Sequence, residues 1–370
     1  MQGFLFREYI PELDKRSPFE RLLEIFLELI TYTSGDVDEA LDWLRELDKE
    51  HTLTDENYTI DDFIEDLFAK GYLQEGGDGD GEGNGDGSSI SAKTEQAIRR
   101  SAMEQIFGKM KKSATGGHRT GQAGGGDETT GDRRPFQFGD RADQIDFTDS
   151  IRNAQIRSAG GDFSLHEQDL EIRETELKAS ASTVLMIDIS HSMILYGEDR
   201  ITPAKKVSMA LAEYISTRYP KDTLDIIVFG NDAWQISVKD LPYLKVGPYH
   251  TNTVAGLQLA MDLLRRRKNN NKQIFMITDG KPSCLKTNDG YYKNSFGLDP
   301  VIVNKCLNLA SECRKINVPI TTFMIAQDPY LQQFVEEFTE ANNGKAIYTG
   351  LGGLGEWIFS DYERNRKRKG

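Results

Sequence analysis

Most of the common catalytic signatures are missing from this chain. Its cysteines number three, Cys284, Cys306 and Cys313, with no CxxC pair, so neither a disulfide framework nor a thiolate zinc site is predicted. Cys306 and Cys313 are seven residues apart on a predicted helix, which reads as a small buried face. The five histidines include no HExxH, and His166-Glu167 lacks the second histidine that a zinc protease needs. No GxxxxGK[ST] loop is present, so ATP hydrolysis by this chain is not expected. No apolar run approaches a membrane span. The opening MQGFLFREYIPELDKR places acids where a signal peptide would carry its apolar core, and a cytoplasmic location is expected. Positive charge is also short: the net charge of −14 argues against general nucleic-acid or anionic-membrane binding.

What is present divides unevenly along the 370 residues, a length that predicts two or three units. Residues 1–74 read as a small acidic helical module. Ser17-Pro18-Phe19-Glu20 is a capping box with proline at the first helical position, and Phe19, Leu22, Leu23, Phe26, Leu27 and Ile30 follow at helical spacing. Further helices are expected over DVDEALDWLRELDKEH and from Thr59 to Ala69, where Gly71 is the stop signal. Residues 75–90 alternate glycine with acid. Asp78, Asp80, Glu82 and Asp86 approach the spacing of an EF-hand loop, but glycine at every other position removes its preorganisation, so a flexible acidic linker is predicted. A tethered helix is expected over 91–112, followed by a glycine-rich linker over 113–134, and a helix and edge strand over 135–180. From 181 to 363 strands alternate with helices, which predicts an α/β fold: a doubly wound, mostly parallel sheet with helices on both faces. LDIIVFG and AWQISV flank Asn231-Asp232 as a hairpin, and 364–370 form a basic tail.

Candidate chemistry gathers at strand ends. The strand TVLMIDI runs into Asp188, Ser190 and Ser192, and QIFMITDG ends in Asp279-Gly280. Thr251 precedes a helix that begins on the same edge. In a parallel sheet, ligands bind at the carboxyl ends of the strands, so these five oxygen-bearing side chains are predicted to converge there. An all-oxygen donor set without clustered histidine or thiol suits a hard divalent cation. Taken singly, either serine could be a helix cap and Asp279 a turn residue. His191 and His250 are assigned to the surface or to positions behind the ligands.

The DxSxS of Asp188 to Ser192, the TxT of Thr251 to Thr253 and the TDG of Thr278 to Gly280 resemble, in order, the metal-ion-dependent adhesion site of von Willebrand factor A domains. The resemblance covers residues from about 180 to 360. ISHSMILYGEDRITPAKKV, VGPYHTNTVAGLQLA and MITDGKPS further resemble the bacterial branch related to the magnesium chelatase D subunit, whose relatives work with MoxR-type AAA+ ATPases. The helical, low-complexity residues 1–134 differ from the AAA+-like region that precedes the A domain in the chelatase subunit. The resemblance implies Mg2+, with Mn2+ as the alternative. Ser190 and Ser192 would bind the metal directly, Thr251 directly or through water according to state, and Asp188 and Asp279 mostly through water. Neutral hydroxyls leave the cation under-neutralised, so it would accept a carboxylate from a protein partner. Tyr291, Tyr292 and Phe296, in the long segment after Asp279, are expected to overhang the metal and contact that partner.

This reading predicts a binding module and no enzyme. The alternative of a metal-dependent phosphohydrolase using Asp188 lacks the second aspartate, where Ser190 stands. A further alternative is RNA binding through the basic tail or the Arg265 to Lys268 cluster with Lys272, which is set against the acidic net charge.

Overall fold

A computed structural model describes residues 16–74, 88–110, 128–137, 145–158, 163–176, 180–197, 199–269, 271–294, 296–325, 329–348 and 353–366. Most of the acidic linker and the end of the basic tail lie outside the described residues. The N-terminal helices are α1 (Pro18–Tyr32), α2 (Val37–His51) and α3 (Ile60–Ala69). Ser17 caps α1 as its sequence requires: Glu20 N donates to Ser17 Oγ at 3.3 Å and Ser17 N donates to Glu20 Oε2 at 2.8 Å. Thr59 and Asp62 form the same reciprocal cap at α3. Gly71, at φ +71°, takes the left-handed turn that ends it.

A short pair of strands, β1 (Leu73–Gln74) and β2 (Ser89–Ile90), leads into α4 (Ala92–Met110). The expectation of a tethered helix is corrected here. α4 lies against a helix of the C-terminal half, with Ile98 and Ala102 buried, because its small apolar stripe finds a helical surface rather than solvent. Two further expectations are corrected by β3 (Glu128–Pro135), α5 (Phe147–Ser158) and β4 (Glu171–Glu176). β3 falls in part of the run read as a glycine-rich linker, and β4 pairs antiparallel with β3 instead of edging the main sheet. Alternation marks β4 as a half-buried strand, yet only its partner decides which sheet it joins.

The remaining elements build the main sheet: β5 (Ala181–Asp188), α6 (Ile201–Arg218), β6 (Thr223–Phe229), β7 (Ala233–Ile236), α7 (Thr253–Arg266), β8 (Asn271–Thr278), β9 (Cys284–Thr287), β10 (Gly290–Lys293), α8 (Pro300–Lys315), β11 (Ile320–Met324), α9 (Pro329–Asn342), β12 (Lys345–Tyr348) and α10 (Leu354–Arg366). Six strands run in the order β12-β11-β8-β5-β6-β7, all parallel except β7, which returns antiparallel from β6 as the hairpin reading requires. Along β5, Leu185 and Ile187 face one hydrophobic cluster while Val184 and Met186 face the other, the alternation expected of a strand covered on both sides. The first cluster contains α6, α10 and the N-terminal helices; the second contains α7, α8 and α9.

Strand order fixes where a ligand can sit. The chain leaves β5 toward β6 and β7, then crosses back through α7 to β8 on the other side of β5. The switch point therefore lies between the carboxyl ends of β5 and β8, where a crevice opens.

Candidate functional site

Asp188 is the last residue of β5, beside that crevice, and is completely buried. Its carboxylate is fixed from two directions: Ser190 N donates to Oδ1 at 2.9 Å and Thr278 Oγ1 donates to Oδ2 at 2.7 Å. The second bond follows from register, since Ile187 lies opposite Ile277 and the next residues are Asp188 and Thr278. Ser190 is buried, and its hydroxyl is 3.0 Å from that of half-buried Ser192. Asp279, 3% exposed, follows Thr278 at the end of β8. Gly280 then turns the chain at φ +95°, where a Cβ would meet Met324 Cε at 3.1 Å and Val335 Cγ2 at 3.3 Å. Positive φ and the tight fit explain why glycine follows this aspartate.

The Thr251 loop is stitched to both of these segments through backbone. Tyr249 O accepts from His191 N at 3.1 Å, which ties it to the serine loop. Thr251 O accepts from Ser283 N at 2.9 Å and from Cys284 N at 3.1 Å, and Thr251 N donates to Ser283 Oγ at 3.0 Å. Asn252, at the start of α7, holds the loop to the β6–β7 turn by donating from Nδ2 to Asn231 O at 2.8 Å, while Asn231 Oδ1 accepts from His250 N at 2.9 Å. Thr251 itself is buried. Three loops far apart in sequence thus form one hydrogen-bonded rim.

The electrostatics of the rim are unusual for a resting protein interior. Burial raises the Asp188 carboxyl first and the neighbouring Asp279 charge raises it further, to about 7, against the lowering effect of the bonds from Ser190 and Thr278. Two buried acids of like sign are costly unless a proton or a cation offsets them. Among the described residues, no group of three or more His, Cys, Asp or Glu side chains could hold a metal ion, so a cation here would depend on hydroxyl oxygens. The donors present are serine, threonine and aspartate oxygens, chemically matched to a hard divalent ion.

Tyr291 and Tyr292 are on β10, 41% and 43% exposed, and Phe296 follows at 89%. His191 is exposed. Lys293 and Lys281 lower His250 after burial has done so, which places positive charge around it. The basic cluster is partly neutralised, Arg265 by Asp262 at 3.0 Å and Arg267 by buried Asp225 at 2.9 Å. Sequence reading missed two supports, the Thr278 hydroxyl on Asp188 and the Ser283 hydroxyl on Thr251. Thr278 was legible as the residue before Asp279 in the motif; Ser283 gave no signal.

Comparison with known proteins agrees with this architecture. Residues 181–363 match the vWA domain of Rv0959-like proteins, and residues 128–175 match the third domain of the same proteins. The chain is 28% identical over 315 residues to the uncharacterized proteins Rv0959 of Mycobacterium tuberculosis and Mb0984 of Mycobacterium bovis, an overlap of 82% of this chain and 44% of each relative. The chain therefore spans less than half the length of these curated relatives. Among solved structures, the PilB minor pilin of Streptococcus sanguinis is similar with 13% identity and a TM-score of 0.44, covering 53% of this chain and 64% of the pilin. The SpRpn10 VWA domain is similar with 17% identity and a TM-score of 0.37, covering 49% and 95%. With its sheet order, its two helical faces and the matched family model, the segment 181–363 has the von Willebrand factor A fold.

Proposed function

We propose that this A domain is a protein-interaction module and that its sheet edge is a metal-ion-dependent adhesion site for Mg2+, or Mn2+, where a partner's Asp or Glu docks. The observation that carries the reading is the buried Asp188–Asp279 pair beside the paired hydroxyls of Ser190 and Ser192. Ser190, Ser192 and Thr251 would hold the ion, with Asp188 and Asp279 set behind them. When bound, the ion supplies a position open to a carboxylate oxygen. Thr278 and the Ser190 amide keep the Asp188 carboxylate oriented, and the backbone bonds from Ser283 and Cys284 keep Thr251 on the rim. The partner class implied by the resemblance is a MoxR-type AAA+ ATPase.

The test is calorimetry of Mg2+ with the full chain. Wild type is expected to bind with modest affinity, and Ser190→Ala/Ser192→Ala to lose binding while keeping its circular dichroism spectrum. Undiminished heat in the double variant would remove the assignment. Thr251→Ala is expected to weaken capture of a purified MoxR-type ATPase about tenfold to a hundredfold, the cost of one charge-assisted contact of ~1.5–3 kcal/mol, and to weaken Mg2+ binding less. Capture that is equally tight in EDTA would sink the docking mechanism. Turnover of p-nitrophenyl phosphate that disappears in Asp188→Ala would favour a hydrolase instead.

A further inference from the structure

Between the short helical turn Val238–Asp240 and α7, residues 241–252 have no regular structure, and Thr251 stands near their end. Fixing such a loop costs conformational entropy that contacts from outside it must offset. The half nearer Thr251 is held by the rim itself: Gly247 N donates to Ile189 O at 3.2 Å and Asn252 N to Gly230 O at 2.8 Å. The Tyr249 ring is folded over this half. A β-carbon on Gly247 would lie 2.6 Å from its Cζ, and one on Gly230 would lie 2.7 Å from its Cβ, so both glycines let the side chain lie against bare backbone.

The half farther from Thr251 is held by a distant part of the chain. At 241–244 the backbone N–H groups bond locally, Leu241 to Val238 O, Tyr243 to Asp240 O and Leu244 to Leu241 O. The ties to other elements come from the N-terminal helices. In the turn between α1 and α2, Ser34 at φ +55° and Gly35 at φ +87° are both left-handed. A β-carbon on Gly35 would lie 2.6 Å from Tyr243 Cε1, so this turn meets the loop as bare backbone against an aromatic ring. The Ser34 hydroxyl donates to Leu244 O at 3.2 Å while accepting from Lys205 Nζ at 3.0 Å, and the Tyr243 hydroxyl donates to Glu95 Oε1 of α4 at 3.3 Å. Leu241 is fully buried, and Leu244, Val246 and Tyr249 pack on the apolar cluster that α1 shares with α6. Ile189 and Met193, on either side of Ser190 and Ser192, belong to the same cluster.

We propose that Tyr243, seated on Gly35, is a positioning residue for Thr251, and that the N-terminal helical layer thereby sets the rim of the metal site before an ion arrives. The inference rests on the metal-site reading for what the rim binds, and on the contacts above for what holds the rim. Neutral hydroxyl ligands bind an ion weakly one by one, so a site made of them depends on each being held in place beforehand. The bonds from Ser283, Cys284 and His191 fix one end of the Thr251 loop, and the Tyr243 ring, 40% exposed and wedged against the α1–α2 turn, fixes the other.

The test uses the full chain and two readouts: amide hydrogen exchange of the segment 244–252 in EDTA, followed by mass spectrometry, and Mg2+ affinity by calorimetry. Tyr243→Ala is expected to speed exchange of that segment about tenfold while β8 keeps its rate, and to weaken Mg2+ binding about fivefold. Tyr243→Phe keeps the ring on Gly35 and loses the bond to Glu95, and is expected to match wild type in both readouts. Gly35→Ala drives the ring off its seat and is expected to match Tyr243→Ala. Val318→Ala empties a buried position just before β11, at the end of the sheet away from the rim, and controls for lost stability; it is expected to change neither readout. Unchanged exchange in both Tyr243→Ala and Gly35→Ala, an equal rise in Val318→Ala, or a Tyr243→Phe variant as loose as Tyr243→Ala would overturn the role given to the ring. Faster exchange with undiminished Mg2+ affinity would overturn it as well. Faster exchange confined to the loop, in a protein whose wild type binds no Mg2+, would support the positioning of the loop by the N-terminal layer and remove the metal-site reading.

Discussion

Helices α6 and α8 cover opposite faces of the same sheet and are buried to different depths. α8 hides one stripe, Ile302, Cys306, Ala310 and Cys313, and leaves Val301 in solvent, with Ile316 exposed just past its end. α6 is buried nearly all round: Ala204, Lys205, Val207, Ser208, Met209, Ala210, Leu211 and Ala212 are all enclosed. A helix buried on every side needs a second layer, and α1 and α4 provide it. Four contacts show that the layer is fitted to α6. Lys205 Nζ donates to Thr31 O at 2.7 Å, in the last turn of α1, and to Ser34 Oγ at 3.0 Å. Lys206 pairs with Glu28 at 2.6 Å, and Arg99 with Glu213 at 3.6 Å. The N-terminal helices and one face of the A domain share a single apolar cluster. The difference teaches that a helix can satisfy an amphipathic pattern and still be only half covered by its own domain.

The most severe way to break this comparison is to empty the second layer. Phe26 is fully buried and meets Phe63 edge-on at 6.0 Å. Phe26→Ala is expected to cost ~3–5 kcal/mol in urea unfolding. If the layer and the A domain share one core, Trp43 in α2 and Trp357 in α10 report the same midpoint. Two separated midpoints would mean that the covered face is two independent bodies.

A smaller effect isolates Lys205. Burial pushes its ammonium down from 10.5 to about 8. The native state then releases this proton before the unfolded chain does, so between about pH 8 and 10 the unfolded state binds more protons and stability rises with pH. Below that window both states are charged and the contribution is constant. One such group changes stability by at most about 1.4 kcal/mol per pH unit. Urea midpoints at pH 7.5, 8.5 and 9.5 are expected to rise in wild type more than in Lys205→Met. Parallel curves would show that Lys205 is solvated, and that the layer does not seal α6.

The mildest probe concerns the other face. Cys306 and Cys313 are fully enclosed, and burial pushes both thiols up to about 12. At pH 8 neither is expected to react with Ellman's reagent until the protein unfolds. Fast labelling of the native protein would mean that α8 lifts off the sheet, so that the single-layered face opens locally.

How much was legible follows the range of the interactions. Helix starts at Ser17 and Thr59, the stop at Gly71 and the turn at Asn231-Asp232 are local, and each is visible within a few residues. Strand–helix alternation is local as well, and it placed Asp188 and Asp279 on one edge because parallel strands connected by helices must end on the same side. Ser283 was not legible, since its role is to meet Thr251 across 32 residues. The strand β3 was hidden because its polar residues look like linker until Ile172 and its neighbours pair with them.

By itself the sequence determined the order of elements, the doubly wound sheet and the oxygen-bearing side chains at its edge, because caps, periodicity and strand direction act within one element or between neighbours in the chain. Only the tertiary structure decided that α4 and α1 roof α6, that β4 pairs with β3, and that Asp188 is held by Thr278 from 90 residues away. Those outcomes depend on which surfaces are left uncovered once the sheet has formed, and side-chain periodicity records that a face is apolar without recording what will cover it.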